Sequence, residues 1–328
     1  MTVFIDRIIP QVGLDLLDEA GLAYEQHTEP RELDLQELIE RCQHHDALLT
    51  AGSLPINKDF IQACKQLKVI SLLSVGYDRV DVQTATKWKI PIGNTPDVLS
   101  EATADTAFLL MLAVSRKALY LHKKIVKGEW GFSQPTDDLG FSLQGKTLGV
   151  FGLGNIGYVL AKKAKAAFDM PIIYHNRSHN EQAEQTLGAQ KVSFDDLVQR
   201  SDVLVAFSSL TPETKDKFNK EIFTKMKPSA IFINASRGAV HNETDLIEAL
   251  EKGMIWGAGL DVTNPEPMQT DNPLLNMANV AVFPHIGSNT IEARNGMASI
   301  AARNVIAALN EQPLLHIVNP EVYQQHQR

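Results

Sequence analysis

The chain has 328 residues, enough for about two domains, and 44% of them are hydrophobic, so large cores can form and disorder is excluded. With 31 Lys and Arg against 39 Asp and Glu, the net charge of -8 argues against a protein that coats nucleic acid. Cys42 and Cys64 stand alone, so we predict neither a disulfide framework nor a metal site and expect a reducing cytoplasm. The N-terminus lacks a signal-peptide pattern, and the longest apolar run, Ala107–Val114, is too short for a membrane span.

The first part of the chain alternates short apolar runs with amphipathic ones. The predicted strands are Val3–Ile5, Leu22–Tyr24, Ala47–Thr50, Val69–Leu73 and Pro91–Ile92. The predicted helices are Val12–Ala20, Leu35–Cys42, Asn57–Cys64 and Val82–Trp88. Repeated alternation of this kind predicts an α/β fold with a parallel sheet and helices on both faces.

A single long helix is predicted from Ser100 to Val126, with Ser100 as its N-cap. An irregular arm follows from Glu129 to Leu143. Because the arm carries Trp130 and Phe132 without regular structure around them, we expect these aromatic side chains to pack against a partner subunit.

A second set of alternating elements predicts a second doubly wound parallel sheet. Its predicted strands are Thr147–Phe151, Ile172–Tyr174, Val203–Ala206, Ala230–Ile233, Gly257–Leu260 and Val280–Phe283. A last helix, Thr290–Leu309, is expected to return to the first domain. We therefore predict a discontinuous substrate-binding domain of residues 1–98 plus 290–328, with a nucleotide-binding domain of residues 99–289 inserted into it.

A glycine-rich turn lies between a strand and a helix of the second domain. Gly152, Gly154 and Gly157 form G-x-G-x-x-G after an apolar strand and before a helical run. The first glycine makes the tight turn, the second lets the backbone approach a pyrophosphate, and the third lets the helix pack on its strand. The motif alone is weak evidence, but this context predicts a dinucleotide site in a Rossmann domain.

Three charged side chains follow the ends of predicted strands, where open α/β sheets bind ligands. His285 can exchange a proton near neutral pH, Glu266 could favour its charged form, and Arg237 offers a planar fork for a carboxylate. Each has a plainer explanation alone: a surface histidine, a solvated loop carboxylate, an arginine at a turn. Together, beside a dinucleotide motif, they indicate hydride transfer to or from a small 2-keto or 2-hydroxy acid.

The chain resembles the D-isomer-specific 2-hydroxyacid dehydrogenases. The resemblance covers essentially the whole chain and rests on segments that keep the order and spacing of the family's signature blocks: Ser74–Asp78, Asn94–Leu99, Gly152–Gly157, Asn234–Gly238, Gly259–Pro267 and Pro284–Ser288. Within the family, the segments Thr95–Leu99 and Asp261–Pro267 look most like the glyoxylate/hydroxypyruvate reductase branch. The resemblance implies a Rossmann domain inserted into a flavodoxin-like catalytic domain, a homodimer, and reduction of glyoxylate and hydroxypyruvate to glycolate and D-glycerate.

The family pattern implies roles for particular residues. Arg237 would bind the substrate carboxylate, His285 would be the acid/base, and Glu266 would pair with His285 and favour its protonated form. The backbone amides of Val75 and Gly76 would also bind the substrate, as would Ser288. The implied cofactor contacts, besides the three glycines, are Thr106, Asn155, Ile156, Asn176, Ser209, Ala235, Asp261 and Gly287, with Asp261 at the nicotinamide carboxamide.

The end of the second strand of the nucleotide domain bears on cofactor choice. NAD sites usually have an acidic residue there to hold the ribose 2′-hydroxyl, but this chain has His175, Asn176 and Arg177. We predict that Arg177 and Ser178, with His179, bind a 2′-phosphate, so that NADP(H) is preferred and NAD(H) is possible. The plainer alternative is that Arg177 is a solvated loop charge.

Two other functions stay open from the sequence. The first is another branch of the family, such as a D-lactate or broad 2-keto-acid reductase. The second is a non-enzymatic, dinucleotide-sensing binding protein, since fold alone does not decide function. The presence of Arg237, Glu266 and His285 favours an enzyme, and no nucleic acid or membrane partner is predicted.

Overall fold

A computed structural model describes residues 1–324. The chain divides into two compact units. The first comprises Met1–Leu99 and the segment that begins at Asn289, and the second comprises Ser100–Ser288. Among the described residues, no helix has both the length and the apolar character needed to cross a membrane.

The first unit is built on a five-stranded sheet in the order β2-β1-β3-β4-β5, with every pair of neighbours parallel. Its strands are β1 Thr2–Ile5, β2 Ala23–Gln26, β3 Ala47–Thr50, β4 Val69–Leu72 and β5 Ile92–Gly93. Its helices are α1 Gln11–Glu19, α2 Leu35–Cys42, α3 Lys58–Ala63, α4 Val82–Lys87 and α12 Ile291–Leu309, with a 3-10 turn at Pro320–Tyr323.

Helices cover both faces of this sheet. Phe4, Leu48 and Ile70 point into one core with α2 and α3. On the other face α12 packs against α1, β3 and β4, and the Ser71 hydroxyl in β4 donates to the carbonyl of Ala301 in α12 at 2.9 Å. Because both faces are covered, the central strands are buried along their whole length.

The second unit has a seven-stranded parallel sheet in the order β12-β11-β10-β9-β6-β7-β8. Its strands are β6 Leu148–Phe151, β7 Ile172–His175, β8 Gln190–Lys191, β9 Val203–Ala206, β10 Ile231–Asn234, β11 Gly257–Leu260 and β12 Val280–Val282. Its helices are α5 Ser100–Ser115, α6 Ala118–Val126, α7 Asn155–Phe168, α8 Glu181–Leu187, α9 Phe194–Arg200, α10 Lys220–Lys225 and α11 Glu243–Glu251, with 3-10 turns at Gly238–Val240 and Pro273–Asn276.

Alternate residues of each central strand enter different cores. In β10, Ile231 and Ile233 pack in the core that includes residues of α5 and α7, while Phe232 packs in the core that includes residues of α9, α10 and α11. This two-residue alternation gives a sheet buried on both faces. The prediction of two parallel α/β sheets is confirmed.

The prediction of one continuous helix from Ser100 to Val126 is wrong. The chain forms α5 and α6, and Lys117 between them has φ 52°, in the left-handed region that breaks a right-handed helix. The arm returns to this break, where the Phe141 N–H donates to the Ser115 carbonyl at 3.0 Å. A Cβ at Gly140 would lie 2.1 Å from that carbonyl oxygen, so only glycine fits there.

The sequence prediction also missed β8, the edge strand of the second sheet. β8 contains only Gln190 and Lys191, and neither is buried. A two-residue polar strand has no hydrophobic periodicity, so the pattern used to find strands could not detect it.

Candidate active site

Four loops of the second unit leave the same edge of its sheet. The register aligns Phe151 with Ala206, Asn234 with Leu260, and Leu260 with Val282. The glycine-rich loop follows β6, and the loops with Arg237, Glu266 and His285 follow β10, β11 and β12. Parallel strands thus bring the dinucleotide motif and the three charged side chains to one carboxyl edge, where α/β sheets bind ligands.

The glycine-rich loop has the geometry that its motif predicts. Gly152 has φ 95°, and a Cβ there would lie 2.8 Å from the backbone nitrogen of Ser208. Apart from Gly154 itself, its two chain neighbours and the adjoining helix backbone, no described atom lies within 4 Å of a Cβ placed at Gly154. A Cβ at Gly157 would lie 3.1 Å from the Gly152 carbonyl oxygen. The first and third glycines therefore permit a tight turn and close packing, and the second leaves room for a ligand.

This loop fits a nicotinamide dinucleotide. Helix α7 starts after Gly154 without a side-chain cap, so the partial positive charge of its N-terminus is left for an anion. The Asn176 side-chain amide accepts from the N–H of Leu153 at 2.7 Å and donates to its carbonyl at 2.9 Å. Asn176 thus braces the loop, and direct contact with a cofactor stays a prediction for Asn176, Asn155 and Ile156.

The segment after β7 carries exposed polar side chains. Arg177, Ser178 and His179 are exposed, and His179 Nδ1 lies 2.8 Å from Glu184 Oε1. A hydrogen bond from Thr211 and, to a smaller extent, the positive charge of Arg177 lower the pKa of the Glu213 carboxyl. An acidic side chain therefore stands within electrostatic reach of Arg177, a feature that the strand pattern did not reveal.

The loop with Arg237 is organised by Asn234, the last residue of β10. The Asn234 side chain is fully buried and donates from Nδ2 to the Arg237 carbonyl at 2.9 Å. Its Oδ1 accepts from the backbone N–H of Ser236 at 3.1 Å and from the Ser236 hydroxyl at 2.9 Å. No sequence motif assigned a role to Asn234, although an amide side chain at the end of a buried apolar strand must find hydrogen-bond partners.

His285 and Glu266 form a pair. Nδ1 of His285 lies 2.6 Å from Oε1 of Glu266, and both side chains are partly exposed. His285 has φ 54°, a left-handed conformation that is uncommon for a residue other than glycine. The carboxylate fixes Nδ1 as a donor, which leaves Nε2 as the ring nitrogen that can exchange a proton with a ligand.

Asp261 holds the loop that carries His285. Its Oδ1 accepts from the N–H of Ile286 at 2.8 Å and its Oδ2 from the N–H of Gly287 at 2.9 Å. Burial raises the pKa of the Asp261 carboxyl, while these hydrogen bonds and the positive charge of His285 oppose the rise. The contact with a nicotinamide carboxamide stays a prediction, and the backbone contacts give Asp261 a structural role in the site.

The remaining predicted positions differ in exposure. Ala235 and Gly287 are buried, Thr106 is buried in α5 with its hydroxyl bonded to the Ala102 carbonyl at 3.1 Å, Ser288 is half-buried, and Ser209 is exposed. A Cβ at Gly287 would lie 3.0 Å from Oδ2 of Asp261, so a larger residue here requires the Asp261 carboxylate to shift.

Val75 and Gly76 belong to the first unit, in the loop after β4. Asn94 donates to the Val75 carbonyl at 2.9 Å, and the Ser74 hydroxyl donates to the Gly76 carbonyl at 2.8 Å. Within residues 1–324, neither backbone N–H of Val75 and Gly76 donates a hydrogen bond to protein. These N–H groups are therefore suited to bind an anion.

Comparison with known proteins identifies the family. The family model for the D-isomer specific 2-hydroxyacid dehydrogenase NAD binding domain matches residues 108–287. This chain belongs to that family. It is 41% identical over 324 residues to the glyoxylate reductase of Thermococcus litoralis, covering 98% of this chain and 97% of the relative. It is 45% identical over 267 residues to glyoxylate/hydroxypyruvate reductase B of Escherichia coli, covering 81% of this chain and 82% of the relative.

A solved relative gives the same fold. The NADPH-dependent glyoxylate/hydroxypyruvate reductase of Sinorhizobium meliloti, in complex with NADP and malonate, has a TM-score of 0.84 and 30% identity, covering 100% of this chain and 99% of that one. The D-2-hydroxyacid dehydrogenase described here is therefore an oxidoreductase with a nicotinamide-dinucleotide domain, and it is most like the glyoxylate reductase branch.

Proposed function

We propose that this dehydrogenase reduces glyoxylate and hydroxypyruvate to glycolate and D-glycerate, with NADPH as the preferred reductant. The observation that carries the proposal is the Glu266–His285 pair at 2.6 Å, on the sheet edge that also bears Arg237 and the glycine-rich loop. Relatives named as glyoxylate or glyoxylate/hydroxypyruvate reductases support the substrate class.

The reaction requires a hydride and a proton at two neighbouring atoms. When bound, the reduced nicotinamide supplies the hydride to C2 of the keto acid. Arg237 pairs with the substrate carboxylate and draws electron density from the 2-oxygen. His285 donates the Nε2 proton to that oxygen, and the Glu266 carboxylate stabilises the protonated ring before transfer. The proposed role of Val75 and Gly76 is to donate their backbone N–H groups to the substrate carboxylate.

The NADPH preference rests on the segment after β7. Arg177 and Ser178 are exposed there, with His179 beside them, and no acidic residue ends the strand. A guanidinium and a hydroxyl are good partners for a phosphate ester, while an acidic residue at the strand end would repel it. The NADP complex of the Sinorhizobium meliloti relative is consistent with this assignment.

The proposal is tested by the rate of NADPH oxidation with glyoxylate, hydroxypyruvate, pyruvate and phenylpyruvate, repeated with NADH and with His285→Ala. We expect fast turnover of the first two acids with NADPH and a loss of about a thousandfold or more in the variant. Turnover of only the bulkier acids would keep the family and overturn the substrate assignment. Equal rates with NADH would overturn the cofactor preference alone.

A further inference from the structure

Asn234 spans the loop that carries Arg237, and its orientation is determined by its partners. The backbone N–H of Ser236 can only donate, so the atom facing it is Oδ1; the Arg237 carbonyl can only accept, so the atom facing it is Nδ2. The second hydrogen on Nδ2 is directed to His241, whose Nδ1 lies 2.9 Å away. Asn234 thus uses both hydrogens of its Nδ2.

His241 is present as a neutral ring of one defined tautomer. Because Nδ2 of Asn234 donates, Nδ1 of His241 must accept, and the ring proton is on Nε2. The side chain is fully buried, and within the described part of the chain Nε2 has no hydrogen-bond partner. A buried polar group without a partner lowers the stability of the fold, and an apolar side chain at this position would avoid that loss. What the histidine contributes in return is an acceptor for Asn234.

The backbone on either side of His241 is anchored independently of this hydrogen bond. The N–H of Phe218 donates to the Val240 carbonyl at 3.2 Å, and the N–H of Asn242 donates to the Phe218 carbonyl at 2.9 Å. A Cβ at Gly238 would lie 1.8 Å from the Thr263 carbonyl oxygen, so the turn before His241 is packed tightly against a neighbouring loop. The imidazole is therefore carried by a well-anchored stretch of backbone, and it can fix the orientation of the Asn234 side chain.

We infer that His241 is a positioning residue for substrate binding, which acts through Asn234 to fix the loop that carries Arg237. The inference rests on the proposed role of Arg237 as the partner of the substrate carboxylate. With the acceptor removed, Asn234 can rotate toward other partners, and the carbonyl of Arg237 and the N–H of Ser236 lose their common anchor. The guanidinium is then less well placed, and the effect falls on KM more than on kcat.

The test uses two substitutions that differ in one property. His241→Phe keeps a ring beside Phe232, whose centroid is 6.0 Å from that of His241, but offers no acceptor. His241→Asn is smaller but places Oδ1 where Nδ1 stands, so it restores an acceptor. Phe223→Leu is the control, since Phe223 packs in the core that contains Phe232 but has no hydrogen-bonding atom in its side chain.

Two quantities are measured in the full chain: KM and kcat for glyoxylate with NADPH, and hydrogen exchange of the Ser236 amide without ligands. We expect His241→Phe to raise KM about tenfold with kcat within about twofold, and to speed exchange at Ser236 by about the same factor as KM. In His241→Asn, KM and the exchange rate of the Ser236 amide should both return most of the way to the wild-type values. Phe223→Leu should lower the free energy of unfolding without raising KM or speeding exchange at Ser236.

Arg237→Ala separates failure of this inference from failure of the proposed function. If Arg237→Ala leaves KM unchanged, the proposed role of Arg237 is wrong, and Ser236 exchange in His241→Phe still decides whether His241 orders the loop. If Arg237→Ala raises KM while His241→Phe alters neither KM nor exchange, the inference is overturned. Should His241→Phe fail to fold, the smaller apolar substitution His241→Leu, which also offers Asn234 no acceptor, must show the same pattern or the inference fails.

Discussion

Oε1 of Glu266 lies 2.6 Å from Nδ1 of His285, although the two residues come from loops after different strands. The short distance indicates a charge-assisted hydrogen bond when the ring is protonated. The carboxylate therefore both orients the ring and places a negative charge beside it. Removal of the charge without removal of the hydrogen bond separates these two effects.

In Glu266→Gln we expect kcat for keto acid reduction to fall by about a hundredfold, because a neutral amide beside Nδ1 stabilises the positive charge on the His285 ring less than a carboxylate does. Steady-state kinetics with glyoxylate and NADPH provide the measurement. Glu251→Gln, at the exposed end of α11, is the control. An unchanged kcat in Glu266→Gln would remove this carboxylate from the proposed mechanism.

Asp261→Asn is expected to loosen the loop of His285. The wild-type carboxylate accepts from the N–H groups of Ile286 and Gly287, and an amide can accept only one of these bonds. We expect a loss of about 1–3 kcal/mol in the free energy of unfolding and a lower kcat. Urea unfolding and steady-state kinetics measure the two effects. Asp271→Asn, at an exposed loop position, should change neither; full activity and stability in Asp261→Asn would contradict the anchoring role.

Arg177→Ala tests the choice of nucleotide. We expect the Kd of NADPH to rise about tenfold, corresponding to the loss of a charge-assisted contact with the 2′-phosphate, and the Kd of NADH to stay the same. Glu213→Gln should have the opposite effect on NADPH, because Glu213 lies within electrostatic reach of Arg177. Arg200→Ala, just before β9 at the amino edge of the sheet, is the control. If Arg177→Ala leaves the ratio of the Kd of NADPH to the Kd of NADH unchanged, Arg177 is a solvated charge that does not bind the 2′-phosphate.

His241 makes stability sensitive to acid. Burial lowers the pKa of His241 from 6.5 to about 4. At a pH between these two values, the imidazole is protonated in the unfolded chain but stays neutral in the folded chain. The contribution of His241 to the free energy of unfolding is therefore complete above its pKa in the unfolded chain. This contribution is lost as the pH falls toward its pKa in the folded chain. From about pH 7 to about pH 5 the loss amounts to about 2 kcal/mol. In His241→Asn, the free energy of unfolding measured with urea should fall less over this pH range than in the wild type. An equal fall in both proteins would show that His241 is not the group responsible.

The aromatic arm is expected to form a subunit interface. Trp130 is 79% exposed and Phe132 is 89% exposed in the single chain. Large aromatic side chains gain most from burial at an interface. We expect light scattering at micromolar concentration to give the mass of two chains for the wild type and of one chain for Trp130→Ser combined with Phe132→Ser. Trp88→Ser, an exposed tryptophan of the first unit, should stay dimeric; a single-chain mass for the wild type would end the homodimer proposal.

The sequence predicted the strands that carry the site because each has a strong local signal. β9 and β11 have the predicted bounds, and the loops with Arg237, Glu266 and His285 follow strands of one sheet as expected. Two features were missed because they leave no local signal. The break at Lys117 does not interrupt the hydrophobic period of the two helices, and the edge strand Gln190–Lys191 is too short and polar to create one.

By itself the sequence determined the α/β class, the order of the strands along the chain, the dinucleotide motif and the family, since these depend on local periodicity and on short motifs. Only the tertiary structure decided which backbone groups Asp261 anchors, how Asn234 is oriented and why a histidine is buried at position 241. The physical reason is the same in each case. A buried polar group must find partners, and those partners are chosen by the packing of loops from different strands, which no local pattern encodes.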